Sequence, residues 1–227
     1  MLSVVIPAHR EERRLAGPLK RLVSYLTSRK IVFEVILVTD REDGTADVAK
    51  TVFPQVRLVV TEHSEGKGAA LNRGLAVAKG SVLSFYDADG ATNPAAFGSA
   101  LSALKRADVV IGSRYAAAAR VRRAWYRDLS SRVYHFLVRA LFGLGSADTQ
   151  CGFKVFRASS TKSVLSGMRS KGFQWDVEFL WQCQRRGLTV FELPVAWRSV
   201  PGGPVESAKF KNALYLLWNT FWLRFSR

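Results

Sequence analysis

Apolar residues in the first half of this chain fall in short unbroken runs, and between the runs they recur every three to four positions. Leu2 to Ile6 is one such run, closed by Pro7, and Leu15, Leu19, Leu22, Val23 and Leu26 then mark one helical face across residues 11 to 29. The alternation goes on with a strand at Val32 to Val38, a short helix at 44 to 52, a strand at Val56 to Val60 and a helix at 68 to 79. A strand at 81 to 86, a helix at 94 to 105 and a strand at Asp108 to Ile111 complete it. Strands without interrupting polar residues are covered on both faces, and their alternation with helices predicts right-handed crossovers and a mostly parallel sheet, hence an α/β fold.

After Ser113 the texture changes. Ala116 to Arg123 is small and basic, and 124 to 143 reads as an aromatic, basic helix. A strand at Gly152 to Phe156, a helix near 159 to 167, a helix at 174 to 186 stopped by Gly187 and a strand at 188 to 197 follow. Pro201-Gly-Gly-Pro204 reads as a loop, and the last 20 or so residues as an aromatic helix. With no internal repeat and no low-complexity linker, residues 1–227 are expected to form a single domain, with 1–115 and 116–227 as its two halves.

Composition adds a direction to this picture. At 48% hydrophobic and 23% charged, 227 residues suffice for one α/β domain with a full core. The net charge of +16 is uneven: residues 1 to 110 carry 15 Lys and Arg against 12 Asp and Glu, and residues 111 to 227 carry 19 against 6. The second half is therefore expected to face something anionic, for which nucleic acid, an acidic membrane surface and a phosphorylated substrate all qualify. Two cysteines, Cys151 and Cys183, form no disulfide framework or metal spacing and fit small buried residues in a reducing compartment. The first strand begins almost at Met1, so no signal peptide is expected ahead of it.

The candidate chemistry sits where predicted strands end. The run Val82, Leu83, Phe85, Tyr86 ends in Asp87-Ala-Asp89-Gly90, and if extended geometry persists, carboxylates two apart point the same way, which suits a divalent cation bridging to a diphosphate. Pro7-Ala8-His9-Arg10-Glu11-Glu12 follows the first strand, Asp40 the second, and Gly66-Lys67-Gly68 opens the third helix. Because ligands of parallel α/β sheets bind at the C-terminal strand edge, all of these can converge on one site.

In this order the motifs resemble the family 2 glycosyltransferases of GT-A fold over essentially the whole chain. Asp87-Ala-Asp-Gly-Ala-Thr92, Ile111-Gly-Ser-Arg114, Asp148-Thr-Gln-Cys-Gly-Phe-Lys154 and Trp175-Asp-Val-Glu178 are similar to the dolichyl-phosphate β-glucosyltransferase branch. The resemblance implies a nucleotide-sugar site of Pro7, Ala8, Glu11, Asp40, Lys67, Asp87 and Asp89. Asp89 would hold Mg²⁺ or Mn²⁺, Asp87 the ribose or the metal, Asp40 the base, and Lys67 would lie by the nucleotide. Ala91 stands where mannose synthases carry a further polar metal ligand, and Thr39-Asp40-Arg41-Glu42-Asp43-Gly44 departs from the family's acidic pair followed by Gly-Ser. The resemblance further implies that Arg114 and Arg127 approach the acceptor phosphate, and that Arg132, Gln150, Lys154, Trp175, Asp176 and Glu178 line the sugar and acceptor pocket. Asp148 and Glu178 fit strand-end or helix-end ion pairs equally well.

The function implied is inverting transfer of a sugar, glucose from UDP-glucose in the first place, to a dolichyl or other polyprenyl phosphate at the cytoplasmic membrane face. GDP-mannose and UDP-N-acetylglucosamine are the alternative donors. Arg120, Arg122 and Arg123 are read as membrane-facing or as solvated charge, and Tyr126, Tyr134, Phe136, Phe142, Trp218, Phe221, Trp222 and Phe225 as interfacial residues, with packing of both segments into the core as buried helices as the alternative. That last segment is too short and polar to span a bilayer, which needs roughly 20 apolar residues. A nucleic-acid-binding module is disfavoured, since the basic residues lie among aromatic and aliphatic runs without a recognition helix, and carboxylates at the strand ends oppose a phosphate backbone.

Overall fold

The structure, a computed structural model, describes residues 1–41, 44–122, 125–200 and 218–225, and of residues 125–130 the backbone helix alone. The main sheet has seven strands: β1 (Leu2–Pro7), β2 (Phe33–Asp40), β3 (Arg57–Thr61), β4 (Val82–Tyr86), β5 (Val109–Ser113), β7 (Phe153–Arg157) and β8 (Val190–Pro194). Their order is β3-β2-β1-β4-β7-β5-β8, and all pairings are parallel except those of β7, which runs antiparallel between β4 and β5. Period-two geometry divides each strand between the two sheet faces. Val4, Ile6, Val35 and Leu37 join one core cluster with Leu19 and Leu22, while Val5, Ile36, Val38 and Phe85 join another with Leu71, Leu75 and Phe179. The expected α/β class and the mostly parallel sheet are both found.

Helices follow the expected periodicity with trimmed ends. α1 (Ala16–Ser28) buries Pro18, Leu19, Leu22 and Leu26, and starts five residues later than the spacing predicts. The reason is local: Arg10 sits at φ 55°, and Glu11 opens a separate turn whose carbonyl accepts from Arg14 and Leu15. α2 (Thr45–Val52), α3 (Lys67–Val77), α4 (Ala96–Ala103), α5 (Trp125–Phe142), α6 (Ala158–Leu165) and α7 (Trp175–Arg185) complete the layers. α7 stops at Gly187, whose φ of 69° lets Leu188 N–H reach back to the Cys183 carbonyl.

Two expectations are corrected here. The single strand at 188 to 197 is two: β8 leaves the main sheet at Pro194, Val195 is buried at the bend, and β9 (Ala196–Arg198) pairs in parallel with β6 (Arg120–Arg122). β6 lies within the small basic stretch to which no strand was assigned. Phe142 is buried and packs edge-on against Trp181, so it is not an interfacial residue, while Tyr134 is half-buried and bonds Thr220. Residues 218–225 are helical. The loop at 201–204, the rest of the C-terminal segment, Arg123, and the side chains of Tyr126 and Arg127 lie outside the described residues.

Candidate active site at the sheet edge

The parallel strands β1, β2 and β4 all end at one edge, at Pro7, Asp40 and Tyr86. Half-buried Pro7 ends β1, and the Ala8 N–H bonds the Val38 carbonyl, keeping the backbone extended past it. His9 Nδ1 then lies 2.6 Å from Oδ2 of Asp40, which is 3% exposed. Asp40 thus spends this oxygen on His9. Glu11 is buried against Arg14, whose Nε donates at 2.9 Å. Burial pushes the Glu11 carboxyl above the usual carboxylate range despite Arg14, with a smaller push from the charge of Asp87.

β4 does not stay extended beyond Tyr86. The Gly90 N–H bonds the Asp87 carbonyl, Gly90 adopts φ 62°, and the Ala91 N–H donates to Oδ1 of Asp89 at 2.9 Å. The buried Tyr86 hydroxyl braces the turn by donating to the Thr92 carbonyl. Asp87 and Asp89 are therefore brought together by a turn, and the period-two argument is corrected. Burial first, and the neighbouring Asp87 second, push the Asp89 carboxyl up to about 6.

Lys67, the first residue of α3, answers this negative charge. Its ammonium lies 3.1 Å from Asp87 and 3.5 Å from Asp176, and these two carboxylates outweigh burial and hold its pKa above the ordinary lysine range. Asp176 in turn bonds Lys154 at 2.5 Å, and Lys154, fully buried, also donates to the carbonyls of Thr149 and Cys151. Alternating charges thus run from the core to the turn. Gly152 shapes its end: a Cβ there would fall 1.5 Å from Oδ2 of Asp87.

Several expected pocket residues stand behind this edge instead of lining it. Trp175 is fully buried, stacks on Phe179 and donates to Asn72. Glu178 is buried and accepts from the Arg169 and Ser170 N–H groups, clamping the loop that touches Gly66 and Gly68 at the start of α3. Lys154 is likewise interior. The resemblance implied that they line a pocket, but each is bonded to protein groups in the interior. Arg114 has its Nε and Nη2 bonded to Asp148 at 2.7 and 2.8 Å, and its guanidinium lies 5.4 Å from the Trp197 ring centre. Gln150 bonds the Tyr134 hydroxyl, and exposed Arg132 lies over the Tyr115 ring.

Glu11, Lys67, Asp87, Asp89 and Asp176 are thus brought together. His9, Arg14 and Gly152 are the residues that sequence reasoning missed. Only His9 carried a signal, being a titratable group directly after a strand.

Among the described residues no group of three or more His, Cys, Asp or Glu side chains is arranged to hold a metal ion. Two hard carboxylates on one turn nevertheless fit Mg²⁺ or Mn²⁺, which bind through one or two carboxylates and complete their shell with substrate phosphates and water.

A mostly parallel α/β sheet with paired carboxylates at its edge is the setting of sugar-nucleotide enzymes, and the comparisons agree. Residues 3–165 match the family described as Glycosyl transferase family 2, and the chain belongs to that family and is a glycosyltransferase. It is 30% identical to a dolichyl-phosphate beta-glucosyltransferase of Drosophila melanogaster over 96% of this chain and 74% of that protein. The Homo sapiens protein of the same name is 31% identical over 88% and 68%. Among solved structures, a Mycobacterium tuberculosis glucosyl-3-phosphoglycerate synthase in complex with Mn²⁺ and UDP-glucose superposes with a TM-score of 0.74 at 19% identity, covering 99% of this chain and 78% of that one. That likeness is one of fold.

Proposed function

We propose that the chain transfers glucose from UDP-glucose to a dolichyl or related polyprenyl phosphate, with inversion, at the cytoplasmic face of a membrane. The observation that carries it is the strand-edge turn that bears Asp87 and Asp89, with Lys67 bonded to Asp87. The names of the relatives support the sugar and the acceptor, and they disfavour mannose and N-acetylglucosamine. Asp89, with Asp87, would hold Mg²⁺ or Mn²⁺, and when bound the cation offsets the charge that builds on the departing diphosphate.

The remaining chemistry belongs to the chain and the acceptor. A phosphate monoester has its second pKa near 6, so at neutral pH it is largely dianionic and attacks without a protein base. One acceptor oxygen forms a bond to the anomeric carbon while the bond to the diphosphate breaks, and the electron pair leaves with UDP. Lys67, held between Asp87 and Asp176, is placed to turn its ammonium to the diphosphate. Arg127 orients the acceptor, and Arg114, fixed by Asp148, offers it only Nη1. Asp40 and His9 together meet the base.

A thermal-shift panel of UDP, GDP and dTDP sugars with Mg²⁺ or Mn²⁺ tests the donor. A ligand at 100 times its dissociation constant stabilises by about 2.7 kcal/mol, so UDP-glucose should give the largest shift. The product formed with a polyprenyl phosphate should be β-linked by NMR. Preferential stabilisation by GDP-mannose, or an α-linked product, overturns the reading.

A further inference from the structure

Apart from the donor edge, the molecule carries a cavity of about 760 Å³ between α1, the 90–94 segment and the two-stranded β6–β9 sheet. Four arginines line it: Arg21 from α1, Arg120 and Arg122 from β6, and Arg198 from β9. Strand periodicity puts Arg120 and Arg122 on one face, and the parallel register sets Arg198 beside Arg122. No acidic residue lines the cavity, and among the described residues no carboxylate lies within ion-pair distance of any of the four.

Five arginines elsewhere are placed differently. Arg14, Arg41, Arg57, Arg73 and Arg114 are each matched to a carboxylate, Glu11, Glu62, Glu34, Glu65 and Asp148. Four like charges gathered without a counter-charge repel one another, and an anionic occupant removes that cost. The guanidinium fork matches phosphate oxygens in pairs, and the volume falls in the range of ligand pockets, larger than a bare phosphate needs. Trp197 and Tyr25 add apolar ring surface to the wall.

We propose that this cavity is a second anion site, separate from the donor edge, that takes a ligand bearing a phosphate ester beside an apolar or planar part. Its floor is the back of the Asp89-bearing turn: Arg21 Nη2 lies 3.2 Å from where a Cβ on Gly90 would sit. The same phosphate chemistry is offered by a phospholipid headgroup in a bilayer and by a soluble phosphate. The site does not depend on the donor or acceptor assigned above, because its readout is binding alone.

The test compares the full chain, Arg120→Ala/Arg122→Ala/Arg198→Ala, and a charge-matched control, Arg13→Ala/Lys79→Ala/Arg106→Ala, whose residues are also exposed. Inorganic phosphate is titrated calorimetrically in one arm. In the other, flotation compares phosphatidylglycerol–phosphatidylcholine vesicles with phosphatidylcholine alone. The cavity variant should bind at least about tenfold more weakly than the control, given the usual contribution of each basic side chain near anionic phosphate. The arm showing the loss identifies the source. Equal weakening in the control, unchanged binding by the cavity variant in both arms, or wild-type protein that binds neither probe overturns the site. Should the triple variant melt early, the single Arg→Gln variants replace it under the same criteria.

Discussion

Asp87 occupies the space that any side chain at position 152 would need, so the glycine and the carboxylate form one device contributed by two antiparallel neighbours, β4 and β7. Gly152→Ala should push the Asp87 carboxylate away from Lys67. We expect turnover to fall about 10- to 100-fold, as for other losses of support around a metal ligand, with little change in melting temperature. Asp89→Asn should remove metal-dependent transfer outright at unchanged fold, since it is nearly isosteric; most of the turnover surviving at saturating metal rules the metal assignment out. The two carboxylates were legible because an apolar run ending in acid is visible within one segment. Gly152 was not, because its constraint comes from 65 residues away in sequence and is a matter of excluded volume.

Elements were legible where periodicity lies within the element itself. β1 to β5 and α2 to α4 came out within about two residues and α1 with a late start, whereas β6 has three residues and no hydrophobic pattern, and the division of β8 from β9 is set by which neighbour each half pairs with. Pairing across the chain is also what ties the Nε and Nη2 of Arg114 into a largely buried ion pair, leaving Nη1 for a ligand. Asp148 accepts from the Arg114 backbone as well as its guanidinium, and although burial raises its pKa, these bonds and the Arg114 charge outweigh it, so the net direction is downward. Removing one partner of a buried pair costs about 3–5 kcal/mol, so Asp148→Asn should lower the melting temperature by roughly 6–20 °C. The sign with pH follows from the depressed folded value. The contribution is complete above the ordinary carboxylate pKa of about 3.9 and fades as pH falls through the lower folded one. The wild-type advantage should hold from about pH 5 upward and shrink only below about pH 4; an advantage that shrinks towards pH 8 contradicts the pair.

At the scale of the whole molecule, basic charge and exposed aromatic surface lie in the same half of the chain. On α5, Val133, Phe136 and Leu137 are exposed, Phe136 at 70%. Helix 218–225 docks on that helix through buried Thr220 and an Arg224 bond to the Leu141 carbonyl, leaving Trp218, Phe221, Trp222 and Phe225 outward. Among the described residues no helix is long and apolar enough to cross a membrane. Outward aromatic residues beside arginines suit the headgroup boundary, where each cation adds on the order of 1 kcal/mol at an anionic leaflet and salt screens it. A chain ending near Ser207 loses the aromatic helix and keeps most of the arginines. It should therefore float with acidic vesicles at low salt but be released by salt far more readily than the full chain, whose aromatic contacts are insensitive to screening. Identical salt release of the two chains means that the aromatic helix faces something other than lipid, and a polyprenyl phosphate would then have to be reached through charge alone.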